Sequence, residues 1–193
     1  MIEVQGALVE DTEWLADQLT LSARRYPLGD RVTLGVLWWY SASSVLFGPV
    51  VDGRDPGLDA ITLLMEPDGR VLDARSPVYE GDLPARTREM LTSAIATVAK
   101  VSGARQRHLW AIATDSLATR LLWAGRTAQA ARFATAIGSE LPTPRYVELS
   151  GRQFVRRGSC CLIYLGASHE EKCTSCPRQK PAERLARLSR LVG

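Results

Sequence analysis

Four cysteines, Cys160, Cys161, Cys173 and Cys176, lie within seventeen residues, and the rest of the chain contains none. Thiolates gathered in one short stretch are soft ligands, the kind that suit zinc and iron–sulfur clusters. A disulfide framework would instead need an export signal and would spread its cysteines through the fold. The N-terminus, from Met1 to Asp11, is acidic and places no positive residues ahead of an apolar run, so no secretory signal is read there. Spacing bears on whether one metal or two is held. Cys173-Thr174-Ser175-Cys176 is a tight knuckle of the sort structural zinc sites use in pairs. Cys160-Cys161 is a directly adjacent pair, which turns less readily onto a single tetrahedral ion. A two-iron cluster also takes four cysteines, with more variable spacing. The spacing favours the cluster and leaves zinc open.

The run Arg156-Arg157-Gly158-Ser159-Cys160-Cys161-Leu162-Ile163-Tyr164, followed by Cys173-Thr174-Ser175-Cys176-Pro177, resembles the C-terminal signature of FhuF-type ferric-siderophore reductases. Weaker similarity lies upstream, at the Leu64 to Leu72 turn, at Leu109-Trp110 and at Arg145-Tyr146-Val147. The resemblance implies that Cys160, Cys161, Cys173 and Cys176 ligate a [2Fe–2S] cluster. It further implies a cytoplasmic oxidoreductase that takes an electron from a reduced donor protein and reduces a ferric siderophore, of hydroxamate type, to release Fe(II). Eleven residues, Leu162 to Lys172, separate the cysteine pairs. The family commonly has about ten, and one extra loop residue adds little closure entropy. The chain is also short for the family.

Rival readings remain beside it. One is a zinc-stapled interaction module without redox function, and another is a generic ferredoxin-like electron carrier. A third is an iron–sulfur regulator that binds DNA through its Arg-rich tail. The cysteine order argues against the third, and Arg184, Arg187 and Arg190 make too short a basic stripe. No nucleic-acid partner is expected. No Gly-rich phosphate loop, Rossmann fingerprint or nucleophile elbow is present, which excludes the usual nucleotide-cofactor and hydrolase sites.

Other residues carry weaker signals. His169 falls inside the cysteine loop, yet four cysteines already fill the ligand count, so it is read as a loop residue or a donor near the cluster. His108 is read as a surface residue near a helix start. Trp38, Trp39, Tyr40, Trp110 and Trp123 are assigned to core packing, since large aromatics chiefly serve burial. Arg156 and Arg157 either stabilise an anionic cluster or are edge charges. From Gly151 onward there are nine Arg or Lys against three Glu, so the cysteine-bearing end carries +6 and the first 150 residues −3. Such a block can attract an acidic partner.

The elements that must position these residues are mainly helical. Asp11 or Thr12 caps a first helix. The uncharged stretch Val32 to about Gly48 reads as a buried core helix, not a membrane span, because its aromatics sit at its middle and Gly48-Pro49 ends it. Apolar runs on either side of Glu66-Pro67-Asp68-Gly69 predict a hairpin near 60–75. Leu83-Pro84 opens a periodic helix stopped by Gly103. Further helices are expected from about Leu109 to Ala124 and from Thr127 to Ile137. Two short strands are expected about Ser150-Gly151. A last helix follows Pro181, with Leu185, Leu188, Leu191 and Val192 inward. The predicted class is α+β, with a helical body over 1–145 and a [2Fe–2S]-binding segment over 146–193 packed on it as one unit.

Overall fold

The fold is built around α2, Arg31–Val51, in the computed structural model, which describes residues 1–26, 30–165 and 172–192. Asp30 starts this helix by accepting from the Val32 and Thr33 N–H groups at 3.0 and 3.3 Å, which satisfies donors that have no partner within a helix. Apolar residues surround the helix on nearly every side, and 72% of its most apolar stretch is buried against the rest of the chain. At roughly 1.5–3 kcal/mol for each fully buried large apolar side chain, this element supplies much of the folding drive.

Three helices and a sheet cover it, and a fourth helix packs on two of these. α1, Thr12–Arg25, is capped by Asp11 and brings Trp14 edge-on to Trp38, ring centres 6.2 Å apart. α3, Leu83–Ser102, carries Pro84 in its first turn and ends on Gly103 at φ 78°, the left-handed geometry glycine adopts freely. It crosses α2 so closely that a Cβ on Gly35 would fall 2.2 Å from the Ser102 Cβ. α4, Gln106–Trp123, is joined to α2 by a Ser43–Ser116 hydroxyl contact of 2.8 Å and by Trp39 Nε1 donating to the Leu109 carbonyl at 2.8 Å. α5, Ala130–Ile137, packs on α3 and α4.

Strands β1, Ile2–Gln5, β2, Thr62–Met65, and β3, Val71–Arg75, form an antiparallel sheet in that order, with β3 against α2. The β2–β3 turn places Gly69 at φ 84°. β4, Tyr146–Leu149, and β5, Arg152–Val155, make a separate hairpin. Its turn holds Ser150 at φ 48° and Gly151 at φ 74°, the pair of positive angles whose twist suits a two-residue hairpin. α6, Pro181–Ser189, closes the chain.

The α+β class and mainly helical character agree with the sequence reading, and several details differ. β1 was not anticipated, because four residues are too few to show a strand period. α2 continues through Pro49. Proline removes the N–H that would meet the Val45 carbonyl; separately, guanidinium donors brace the helix on either side, Arg120 Nε at Ser44 O and Arg126 Nη1 at Val51 O, each at 2.5 Å. The expected helix over 127–137 divides into a 3-10 turn, Thr127–Gln129, and α5. In α6 only Leu188 is buried, whereas Leu185 and Leu191 are 46% and 54% exposed.

Candidate metal centre

β5 delivers the chain to the first cysteine pair, and α4 receives it. Asp115, in the middle of α4, is buried and points at the segment after β5. One of its oxygens accepts from the Gly158 N–H at 2.9 Å; the other accepts from the Ser159 N–H at 2.9 Å and the Ser159 hydroxyl at 2.5 Å. His108 lies seven residues earlier, on the same face of α4, and its Nε2 is 2.9 Å from the Cys160 carbonyl. Two turns of one helix therefore grip residues 158–160. Immediately after the pair, Leu162 takes φ 63° and is buried, and a 3-10 turn over Ile163–Leu165 follows. A branched residue held in this left-handed region costs energy that the surrounding contacts must offset.

The second pair sits on a turn of its own. The Cys176 N–H donates to the Cys173 carbonyl at 2.9 Å, and the Gln179 side chain donates to the same carbonyl at 2.6 Å. Arg178 donates to the Tyr164 hydroxyl at 2.8 Å, and Arg187 of α6 donates to the Lys172 carbonyl at 2.9 Å. Of these contacts, the one between Arg178 and Tyr164 ties the Cys173–Cys176 turn to the Cys160–Cys161 limb. His169 lies outside the described residues.

The sulfurs meet in two couples, each drawing one cysteine from each limb. Cys160 Sγ and Cys176 Sγ are 3.7 Å apart. Cys161 and Cys173 are hydrogen-bonded to each other, and this bond is the main reason the Cys161 pKa falls to about 5 while that of Cys173 rises. Burial pushes Cys160 up to about 11. Backbone N–H groups of Leu162 and Ile163 point at the Cys160 and Cys161 sulfurs respectively. Among the described residues no three His, Cys, Asp or Glu side chains converge on a single point suited to one ion. Two couples that each join the two limbs suit a two-metal cluster, which takes two sulfurs on each metal.

Arg157 completes the surroundings. It is 8% exposed, with Nε 3.7 Å from Asp115 and Nη1 3.7 Å from the Cys173 sulfur, and its guanidinium lies 4.8 Å from the centre of the Tyr40 ring. Burial alone would favour the neutral form, but Tyr40, Cys161, Asp115 and Cys173 around it hold the charge firmly in place. Its Nη2 is buried without a hydrogen-bond partner. An unpartnered cationic donor beside the Cys161 and Cys173 sulfurs fits an anionic iron–sulfur group, whose acceptors would satisfy it.

Residues 157–178 match the sequence model of the FhuF 2Fe-2S C-terminal domain. Over this stretch the chain is similar to an FhuF-type [2Fe–2S] domain. The match begins at Arg157 and takes in both cysteine pairs; the upstream likenesses at Leu64–Leu72, Leu109-Trp110 and Arg145–Val147 lie outside it. No curated protein matches the chain. Of the residues weighed from sequence, His108 is not a free surface group but a half-buried one bonded to the cysteine loop. Trp38, Trp39 and Trp110 are core, while Tyr40 is 36% and Trp123 68% exposed. Asp115 escaped the sequence reading altogether. Its signal was there, a lone acid among Ala113, Thr114, Ser116, Leu117 and Ala118 on a buried helix face.

Proposed function

We propose that the protein is a cytoplasmic ferric-siderophore reductase in which Cys160, Cys161, Cys173 and Cys176 hold the [2Fe–2S] group. The observation that carries this reading is the FhuF [2Fe–2S] match over residues whose sulfurs stand in two couples. In this reading the two limbs would hold the group jointly, Cys160 and Cys161 from one and Cys173 and Cys176 from the other. When bound, it supplies one-electron transfer, converting chelated Fe(III) to Fe(II). Hard oxygen ligands grip Fe(II) far less tightly, and the metal is released. No bond to carbon changes; one electron enters from a reduced donor protein and one leaves to the substrate iron.

The chain's own residues set the conditions. Arg157 places a buried positive charge beside the Cys173 sulfur, and a cation there favours the more negative, reduced state. The Leu162 and Ile163 N–H groups act in the same direction through the sulfurs. Arg178, Arg184 and Arg190 lie on the cysteine-bearing end and would draw in an acidic donor, so transfer from that donor slows as salt rises.

Anaerobically purified protein should be red-brown, with about two irons and two sulfides per chain. After chemical reduction, a ferric trihydroxamate should reoxidise it much faster than it reoxidises a plant-type ferredoxin at matched reducing equivalents. A colourless protein with one zinc would overturn the cofactor reading. Equal rates with the ferredoxin would overturn the reductase reading and leave a general electron carrier.

A further inference from the structure

A cavity of about 560 Å³ opens beside the cysteine turn. Its two long walls are parallel stripes of α2 and α4. Leu37, Tyr40, Ser41, Ser44 and Val45 recur at helical spacing on the first, and Ser116, Thr119, Leu122 and Trp123 do so on the second. Thr174 and Ser175, the two residues between Cys173 and Cys176, form part of its end, and Arg157 is in its floor. Anything seated there lies against the residues that separate two sulfurs. The substrate of a one-electron reductase has to come this close, since transfer demands a short gap between donor and acceptor.

The lining also describes the occupant. Its two charged residues, Asp115 and Arg157, are paired with each other, so the cavity offers no net charge. Apolar area dominates, and the polar remainder includes hydroxyls on both helix walls and on the cysteine turn. Trp123 stands at the mouth, 68% exposed, with the Arg120 guanidinium 5.5 Å from the centre of its ring. An exposed tryptophan braced in this way is an anchor for the apolar frame of a ligand. A triply anionic chelate would have to shed its hydration against a lining whose one cation is already paired, which is costly.

We infer that the α2–α4 cavity is the substrate site, and that it takes a ferric chelate of hard oxygen ligands carrying no net charge, its apolar frame on Trp123 and its metal toward Thr174 and Ser175. This rests on the reductase reading for its chemistry, but binding can be measured without any electron transfer. Holo-protein would be titrated by calorimetry with a gallium(III) trihydroxamate, which has the charge and shape of the ferric complex and cannot be reduced. Thr119→Phe and Ser44→Phe fill the cavity from opposite walls, and Trp123→Ala removes the anchor at an exposed position. The expected result is a loss of at least tenfold in affinity for each filling variant and about threefold for Trp123→Ala, with cluster content and visible circular dichroism unchanged. A gallium tris-catecholate, three times negative, should bind wild type at least tenfold more weakly.

Wild-type affinity in both filling variants would overturn the site, even if ferric chelates still reoxidise the reduced protein. Equal affinity for the anionic complex would overturn the charge assignment. If ferric chelates leave the reduced protein unoxidised while the gallium complex binds wild type and not the filled variants, the reductase reading falls and the binding site stands.

Discussion

The two cysteine limbs are held by different means. The Cys160–Cys161 limb is fastened to the body: Asp115 takes three donors from Gly158 and Ser159, His108 meets the Cys160 carbonyl, and Leu162 is buried. The Cys173–Cys176 limb is held chiefly by its own turn, by Gln179 and by Arg187 of α6. One half of the site belongs to the helical core and the other is folded over it. A bridging metal group would lock the second half to the first, so its loss should loosen one limb far more than the other.

Removing the body's grip should have the largest effect. Asp115→Ala leaves the Arg157 charge without its carboxylate and two backbone N–H groups without acceptors, and breaking a buried pair of this kind costs about 3–5 kcal/mol. Denaturant melts should show a loss of that order, together with failure to retain iron. Gln179→Ala gives the contrast. It removes one clamp on the outer limb, so global stability should fall by only about 1 kcal/mol while iron is lost to a chelator several times faster than from wild type. Equal loss of stability in the two variants would contradict the division of the site into a fixed half and a folded-over half.

Arg157 touches both halves, since it meets Asp115 on the body and the Cys173 sulfur on the outer limb. Arg157→Gln keeps a donor but removes the charge. The reduced state then loses a neighbouring cation, and spectroelectrochemical titration should find the potential lower by tens of millivolts; Arg157→Lys should recover part of the shift. An unchanged potential would reduce Arg157 to a packing role.

The smallest effect concerns the hairpin that leads into the fixed limb. The Tyr146 hydroxyl donates to the Ala118 carbonyl at 3.0 Å, and burial pushes its pKa up to about 12. An unfolded chain has the ordinary value of 10.0, so between these two values the unfolded state gives up the proton first and stability falls as pH rises. Tyr146→Phe should cost about 1 kcal/mol near neutrality and remove that alkaline decline, so melts of the two proteins at pH 8 and pH 11 should converge.

The helix start at Asp11, the opening at Leu83-Pro84, the stop at Gly103 and the Ser150-Gly151 turn were readable along the chain, because each depends on residues a few positions apart. The four cysteines were readable for the same reason: donor type and spacing together restrict the metal chemistry. What surrounds them was not. Asp115 lies 43 and 44 residues from the backbone groups it holds, and His108 lies 52 from Cys160. Nothing local distinguishes a mid-helix acid that is solvated from one that anchors a distant loop. The exposure of Tyr40 and Trp123 likewise depends on how α2 and α4 lie against each other.

By itself, then, the sequence determined the grouping of four soft donors, the range of metal chemistry they admit and most helix boundaries, since covalent neighbours and short-range hydrogen bonds govern all three. The tertiary structure alone decided which sulfur faces which, where the buried Arg157 charge falls, and that a cavity opens against the Cys173–Cys176 turn. Those properties depend on the packing of segments far apart in the chain, where burial turns an ordinary arginine or aspartate into a fixed charge.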